Sequence, residues 1–135
     1  MQLQGFVNND ELHHPTMKDE KGETCIIVVK NGRTTGLTFG RATGMESFVR
    51  TYENYGIRTT TMEIAIYSYD HKASDFATHG DSGSIVADGN NRIVGMITGG
   101  ITGPTGSTDV TYASPYHFLD EQIKNIFPNI ELYPI

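Results

Sequence analysis

The chain has 135 residues, the size of one domain, and its 37% hydrophobic content with no long polar tract excludes a disordered segment. A formal net charge of −6 with ten scattered Lys and Arg leaves no basic stripe for a phosphate backbone, so nucleic acid is not an expected partner. No apolar run reaches membrane-spanning length, the first residues do not read as a signal peptide, and a lone Cys25 forms no internal disulfide, so a reducing, cytoplasmic setting is expected.

Residues 1–22 contain Pro15 and no hydrophobic period, and they read as an N-terminal arm to a domain spanning 23–135. The mixed charge run at 18–23 reads as a solvated loop. Residues 24–30 form an apolar run in which Cys25 is expected to be buried and inert. Asn31-Gly32 is a strong hairpin signal, with a returning strand at 33–41. Residues 47–55 are weakly stranded. Residues 58–69 alternate, with Met62, Ile64 and Ile66 on one face and Glu63, Ala65 and Tyr67 on the other. A second hairpin is expected from 84–87 and 92–98 around Asp88-Gly-Asn-Asn91, and a Gly-rich loop at 99–106 leads to a strand at 109–113. The end is helical: Ser114 is placed to cap, Pro115 suits the first turn, Leu119, Ile123 and Ile126 share a face, and Pro128 stops the helix. Short strands, frequent turns and one terminal helix predict a closed antiparallel barrel.

The sharpest local feature is Thr78-His-Gly-Asp-Ser-Gly-Ser84, where small residues crowd one hydroxyl beside an acid. Such a turn lets backbone amides converge near the serine oxygen, as stabilisation of a tetrahedral oxyanion requires. A plain Gly-Asp-Ser surface turn is the competing reading. No metal or cofactor site is expected: His13 and His14 are adjacent, no His-x-x-x-His or Cys-x-x-Cys occurs, and no Gly-rich loop opens a helix.

Three blocks carry a resemblance. Gly-Asp-Ser-Gly-Ser-Ile-Val at 80–86 followed by Arg-Ile-Val-Gly-Met-Ile-Thr-Gly-Gly at 92–100 resembles the active-site strand pair of chymotrypsin-like serine peptidases. The block at 29–40 is similar to the opening hairpin of the second barrel in bacterial and fungal trypsin-like enzymes, and 109–119 to the family's last strand and terminal helix. The resemblance spans 25–127 and implies a six-stranded antiparallel Greek-key barrel, half of a double barrel, with a C-terminal helix. Position by position it implies Ser82 as nucleophile, the amides of Gly80 and Ser82 as oxyanion hole, and Asp81 as the buried acid shaping the loop, usually by an ion pair. It makes Thr98, Gly99 and Gly100 the strand on which a substrate backbone pairs, His79 a residue flanking the substrate, and Val110 and Tyr112 the far wall of the specificity pocket. Phe76 falls at the pocket base, where it would disfavour basic side chains; core filling is the equal alternative.

The family's histidine base and orienting aspartate come from its first barrel, which has no counterpart in this chain. His13, His14, His71, His79 and His117 each read as surface or packing residues. The first expectation is therefore the nucleophile-bearing half of a serine endopeptidase, acting on peptide or protein substrate once a first-barrel chain docks. The second is a non-catalytic single-barrel pseudopeptidase that binds a partner protein. A homodimer through the Ser82 face, with the arm folded over it, is a further expectation, and an unrelated small β-barrel binder is the remaining reading.

Overall fold

The computed structural model describes residues 2–52, 56, 58–70, 74–104, 106 and 108–132. Among these, a short helix α1 (Asn9–His13) precedes six strands: β1 (Ile26–Gly32), β2 (Gly36–Tyr52), β3 (Arg58–Ser68), β4 (Ile85–Asp88), β5 (Ile93–Thr102) and β6 (Thr108–Pro115). Helix α2 (Tyr116–Ile126) ends the described fold. Every strand pairing is antiparallel, and the sheet closes as β1-β2-β3-β6-β5-β4, with β4 returning to β1. The expected six-stranded barrel with a C-terminal helix is the observed fold.

Period-two alternation builds its interior. On β1, Ile26, Val28 and Lys30 point inward, and Ile26 and Val28 join Ile64 and Ile66 of β3, Val86 of β4 and Val94 and Ile97 of β5 in one core cluster. On β3 the expected apolar face is only partly internal. Ile64 and Ile66 are buried, but Met62 is exposed, while Glu63 and Ala65 on the opposite face are buried as well. The β2–β3 ribbon runs past β6, which pairs with β3 only over Ile64 to Ile66, so Met62 projects beyond the closed part of the barrel.

Two local expectations are corrected. The first turn is not at Asn31-Gly32: both lie in β1, paired with Leu37 and Gly36, and the chain reverses at Arg33, Thr34 and Thr35. The tertiary environment decides this, because Asp81 takes the amides of Thr34 and Thr35 and packs where a side chain at Gly32 would stand. Ser114 does not cap α2. Pro115 occupies the cap position, and the Ser114 hydroxyl donates instead to Glu63, at 3.0 Å from Oε2. Finally, α2 buries none of its residues, leaving Phe118, Ile123 and Ile126 exposed.

The described part of the arm, 2–22, joins the barrel and does not line the Ser82 hollow. Val7 and Leu12 belong to the core cluster, and Val7 donates its amide to the Ile93 carbonyl at 2.9 Å. Arg92 Nη1 reaches Glu11 at 2.9 Å, and His13 Nε2 lies 2.8 Å from Glu46. Strands β4 and β5 run between the Ser82 loop and the turn at 88–93, so the arm stoppers the barrel end away from Ser82. The Asn9 carbonyl, and then Glu46, hold the His13 imidazolium above its ordinary range, against desolvation.

Two outcomes follow from the stopper. Leu12→Ala should lower stability by about 3 kcal/mol in urea unfolding, the cost of a cavity in a real core; a change near zero would mean that the arm is a solvated tail. The His13 contribution is fully present below an unfolded value near 6.5 and is lost as pH rises through the higher folded value. Protection factors at Val7 and Leu12, corrected for the base-catalysed intrinsic rate, should therefore fall from acidic to alkaline pH, and His13→Gln should flatten that fall.

Candidate active-site loop

The loop at 78–84 is held from beneath by one carboxylate. Asp81 is fully buried and accepts the amides of Thr34 at 2.8 Å, Thr35 at 3.3 Å and Thr78 at 3.1 Å, as well as the Thr35 hydroxyl at 2.7 Å. Lys30 Nζ stands 3.6 Å from Asp81 Oδ2 with both side chains out of solvent, and it also donates to Thr35 Oγ1 and to the Gly36 carbonyl. The Thr35 hydroxyl thus donates a hydrogen bond to the acid while accepting one from the lysine. Burial pushes the Asp81 carboxyl up, but the donors of Thr35, Thr78 and Thr34 outweigh it and hold the group well below the usual carboxylate range. For Lys30 burial prevails, lowering the ammonium against the pull of Asp81.

Above this anchor the backbone turns sharply. Gly80 and Gly83 have φ of 100° and 87°, a region that L side chains rarely adopt. At Gly80 space is tight too, since an added Cβ would collide with Thr34 Oγ1. The amides of Asp81 and Ser84 close the turn onto Thr78 and Asp81 carbonyls, and Gly83 N–H donates to Ile97 O at 2.8 Å, tying the loop to β5. Among the described residues the amides of Gly80 and Ser82 donate to no acceptor, and they are the two expected as oxyanion donors.

Ser82 is exposed and lines a hollow of about 140 Å³ together with Ala77, Thr78, His79, Ile97, Gly99, Gly100 and Thr102. His79, Gly99 and Gly100 therefore gather around Ser82. Thr98 turns to the outer face of the barrel, where its hydroxyl donates to Glu63 at 3.2 Å. Tyr112 lines a neighbouring hollow with Phe48, Glu63 and Ile101, and Val110 pairs with Ile101 on the β5–β6 ribbon. Phe76 fills the core at 1% exposure and does not line the Ser82 hollow. Gly40 makes room for its ring, which an added Cβ would meet at 2.7 Å, and Lys30 lies 5.8 Å from the ring centroid. The hollow's lining is accordingly mixed, and an apolar pocket floored by Phe76 is not what forms.

No described histidine or carboxylate hydrogen-bonds the Ser82 hydroxyl. His13 is committed to Glu46, His14 is exposed beyond α1, His117 faces a different cavity, and His71 lies outside the described residues. His79 is exposed beside Ser82 without engaging it. Burial raises the Cys25 thiol above its ordinary value, in keeping with a packed and inert side chain. No group of three or more potential metal ligands occurs among the described residues, and no helix there is long and apolar enough to cross a membrane.

The sequence reading missed Lys30 and Thr35 as the anchors of Asp81. The signal for Lys30 was its parity, which places it inward with Ile26 and Val28; Thr35 gave none, because its role depends on where the turn falls. No known family model matches the chain, and no curated protein matches it.

Removing one member of a buried pair leaves the other uncompensated. Asp81→Ala should cost about 3–5 kcal/mol in chemical denaturation, and adding Lys30→Met should recover part of the loss. Simple additivity of the two changes would show that the ion pair carries nothing. Because the folded carboxyl is depressed, its contribution is present above the unfolded value near 3.8 and lost only as pH falls through the lower folded value. Asp81→Asn should flatten stability against pH across that acidic window.

Proposed function

We propose that this barrel is the nucleophile-bearing half of a chymotrypsin-like serine endopeptidase, hydrolysing peptide bonds through Ser82 when a partner chain supplies the general base. The observation that carries the reading is the conjunction at one loop of an exposed Ser82, two uncommitted amides at Gly80 and Ser82, and the rigid anchor of Asp81 below them. Preset donors of this kind stabilise the charge that develops on an attacked carbonyl oxygen. The substrate backbone would lie along Gly99 and Gly100, whose edge faces the loop, in the manner of an added strand. A hollow of about 140 Å³ with glycine, threonine and isoleucine walls suits a small uncharged side chain.

In the catalytic step, Ser82 Oγ would attack the carbonyl carbon while its proton passes to the partner's base. The same base would return the proton to the departing amine, leaving an acyl ester that water then cleaves. The absence of any base bonded to Ser82 among the described residues supports a second reading, a binding module that retains the loop as scaffold.

Treatment of the 135-residue chain with a fluorophosphonate probe separates the two. As a peptidase half, Ser82 should label negligibly alone, because loss of the base costs about a millionfold in turnover. Labelling should rise with added imidazole, or with a docked first barrel, and vanish in Ser82→Ala. Indifference to imidazole, with Ser82 no more reactive than the other serines, would favour the binding module. Rapid labelling without any addition, abolished by one His→Ala change, would place the base within this chain.

A further inference from the structure

Two contacts of Thr34, in the turn between β1 and β2, bear on a single peptide unit of the Ser82 loop. The Thr34 hydroxyl donates to the His79 carbonyl at 3.1 Å, across 45 positions of sequence. The Thr34 amide is held at the same time by Asp81 Oδ1 at 2.8 Å, so the backbone that presents this hydroxyl is fixed by the loop's own anchor. A β-branched side chain on a fixed backbone has few rotamers open to it. Among the described residues Thr78 Oγ1 is the other hydroxyl near the His79 oxygen, but at 3.5 Å it holds little.

Peptide planarity converts that contact into a direction. A trans peptide sets its C=O and N–H on opposite sides, so with the His79 oxygen turned to Thr34 the Gly80 N–H points away from the turn at 33–35. Glycine by itself leaves such a peptide free to turn over, because it adopts either sign of φ without steric cost. The contact from Thr34 removes that freedom. The missing side chain at Gly80 is also what lets Thr34 approach, since a Cβ there would collide with its hydroxyl.

We propose that Thr34 is a positioning residue for the oxyanion site: its hydroxyl keeps the 79–80 peptide from turning over and so keeps the Gly80 amide free to meet charge developing at Ser82. The catalytic consequence rests on the peptidase reading, whereas the orientation of the peptide rests on hydrogen-bond geometry alone. Thr34 does not line the Ser82 hollow and acts through His79 and Gly80. Turned over, the same peptide would present a carbonyl oxygen where a donor is needed, replacing attraction with repulsion.

The test compares the whole chain with Thr34→Val, an isostere that lacks the hydroxyl but keeps the amide taken by Asp81, and with Thr34→Ser, which restores the hydroxyl. In ¹³C,¹⁵N-labelled protein, Thr34→Val should shift the His79 carbonyl signal and bring a nuclear Overhauser contact from the Gly80 amide proton to the methyls at position 34. Imidazole-assisted labelling of Ser82 by the fluorophosphonate probe should fall about tenfold in Thr34→Val, the weight of one hydrogen bond, and return in Thr34→Ser. Unchanged His79 and Gly80 signals in Thr34→Val, or changed signals with undiminished labelling, would overturn the proposal. So would a strong Overhauser contact between the Gly80 amide proton and the Thr34 methyl in the unmodified chain, a measurement that holds even where Thr34→Val fails to fold. An unmodified chain that imidazole does not help to label would sink the peptidase reading instead, and the His79 and Gly80 signals would still decide whether Thr34 sets this peptide.

Discussion

The Asp81 carboxylate is the point to which three separate stretches of chain are fastened. It takes the amides of the β1–β2 turn, the amide of Thr78 at the start of its own loop, and the ammonium of Lys30 from within β1. A carboxylate buried in a barrel would be costly if any lone pair were idle, and here backbone donors, a hydroxyl and a cation meet it together. The consequence is local rigidity. The turn at 33–35 cannot relax without exposing the acid, and the loop at 78–84 cannot move without losing the turn. Ser82 follows directly on this fastened residue, and fixed amides are what stabilise developing charge effectively.

Much of the barrel was legible because its rules are local. Inward residues at Ile26, Val28, Ile64 and Ile66 follow from the period of two, and the Asp88-to-Arg92 turn follows from its Gly and Asn content. The elements that departed from expectation were decided by distant partners. Asn31-Gly32 has hairpin chemistry, but Asp81, about fifty residues away in sequence, captures Thr34 and Thr35 and moves the reversal onward. Ser114 has capping chemistry, but Glu63 takes its hydroxyl. The arm shows no period because only Val7 and Leu12 are needed to fill the barrel end, and two apolar residues five apart announce no element. At the candidate site the loop itself was readable, while Phe76 was not: the same position serves a pocket floor or a core depending on what stands beside it, here Gly40.

Taken together, the arm and the terminal helix divide the molecule's surface by role. The arm seals one end with buried apolar side chains and a charged lattice of Glu11, Arg92 and Asp88. The opposite end, with Ser82 and the edge of β5, stays open. The flank at the start of α2 carries Met62, Phe118 and Phe48 uncovered beside a recessed acid. The surface around Ser82 and the flank at the start of α2 thus differ in kind, the first walled by glycine and threonine and the second by methionine and phenylalanine.

The break in register between Ile97 and Gly99 has a consequence for behaviour in concentrated solution. Beyond Ile97, β5 keeps β6 on one side, and among the described residues no strand lies on its other side. An unpaired edge of that kind is a template on which identical chains stack into fibrils. The bulge bends the strand just where the edge becomes free, and two glycines there give an incoming sheet no side chains to grip. A long flat strand finds no continuous ladder, whereas a segment of two or three residues still can. The kink thus leaves the free edge of β5 without the straight run that long cross-chain pairing requires.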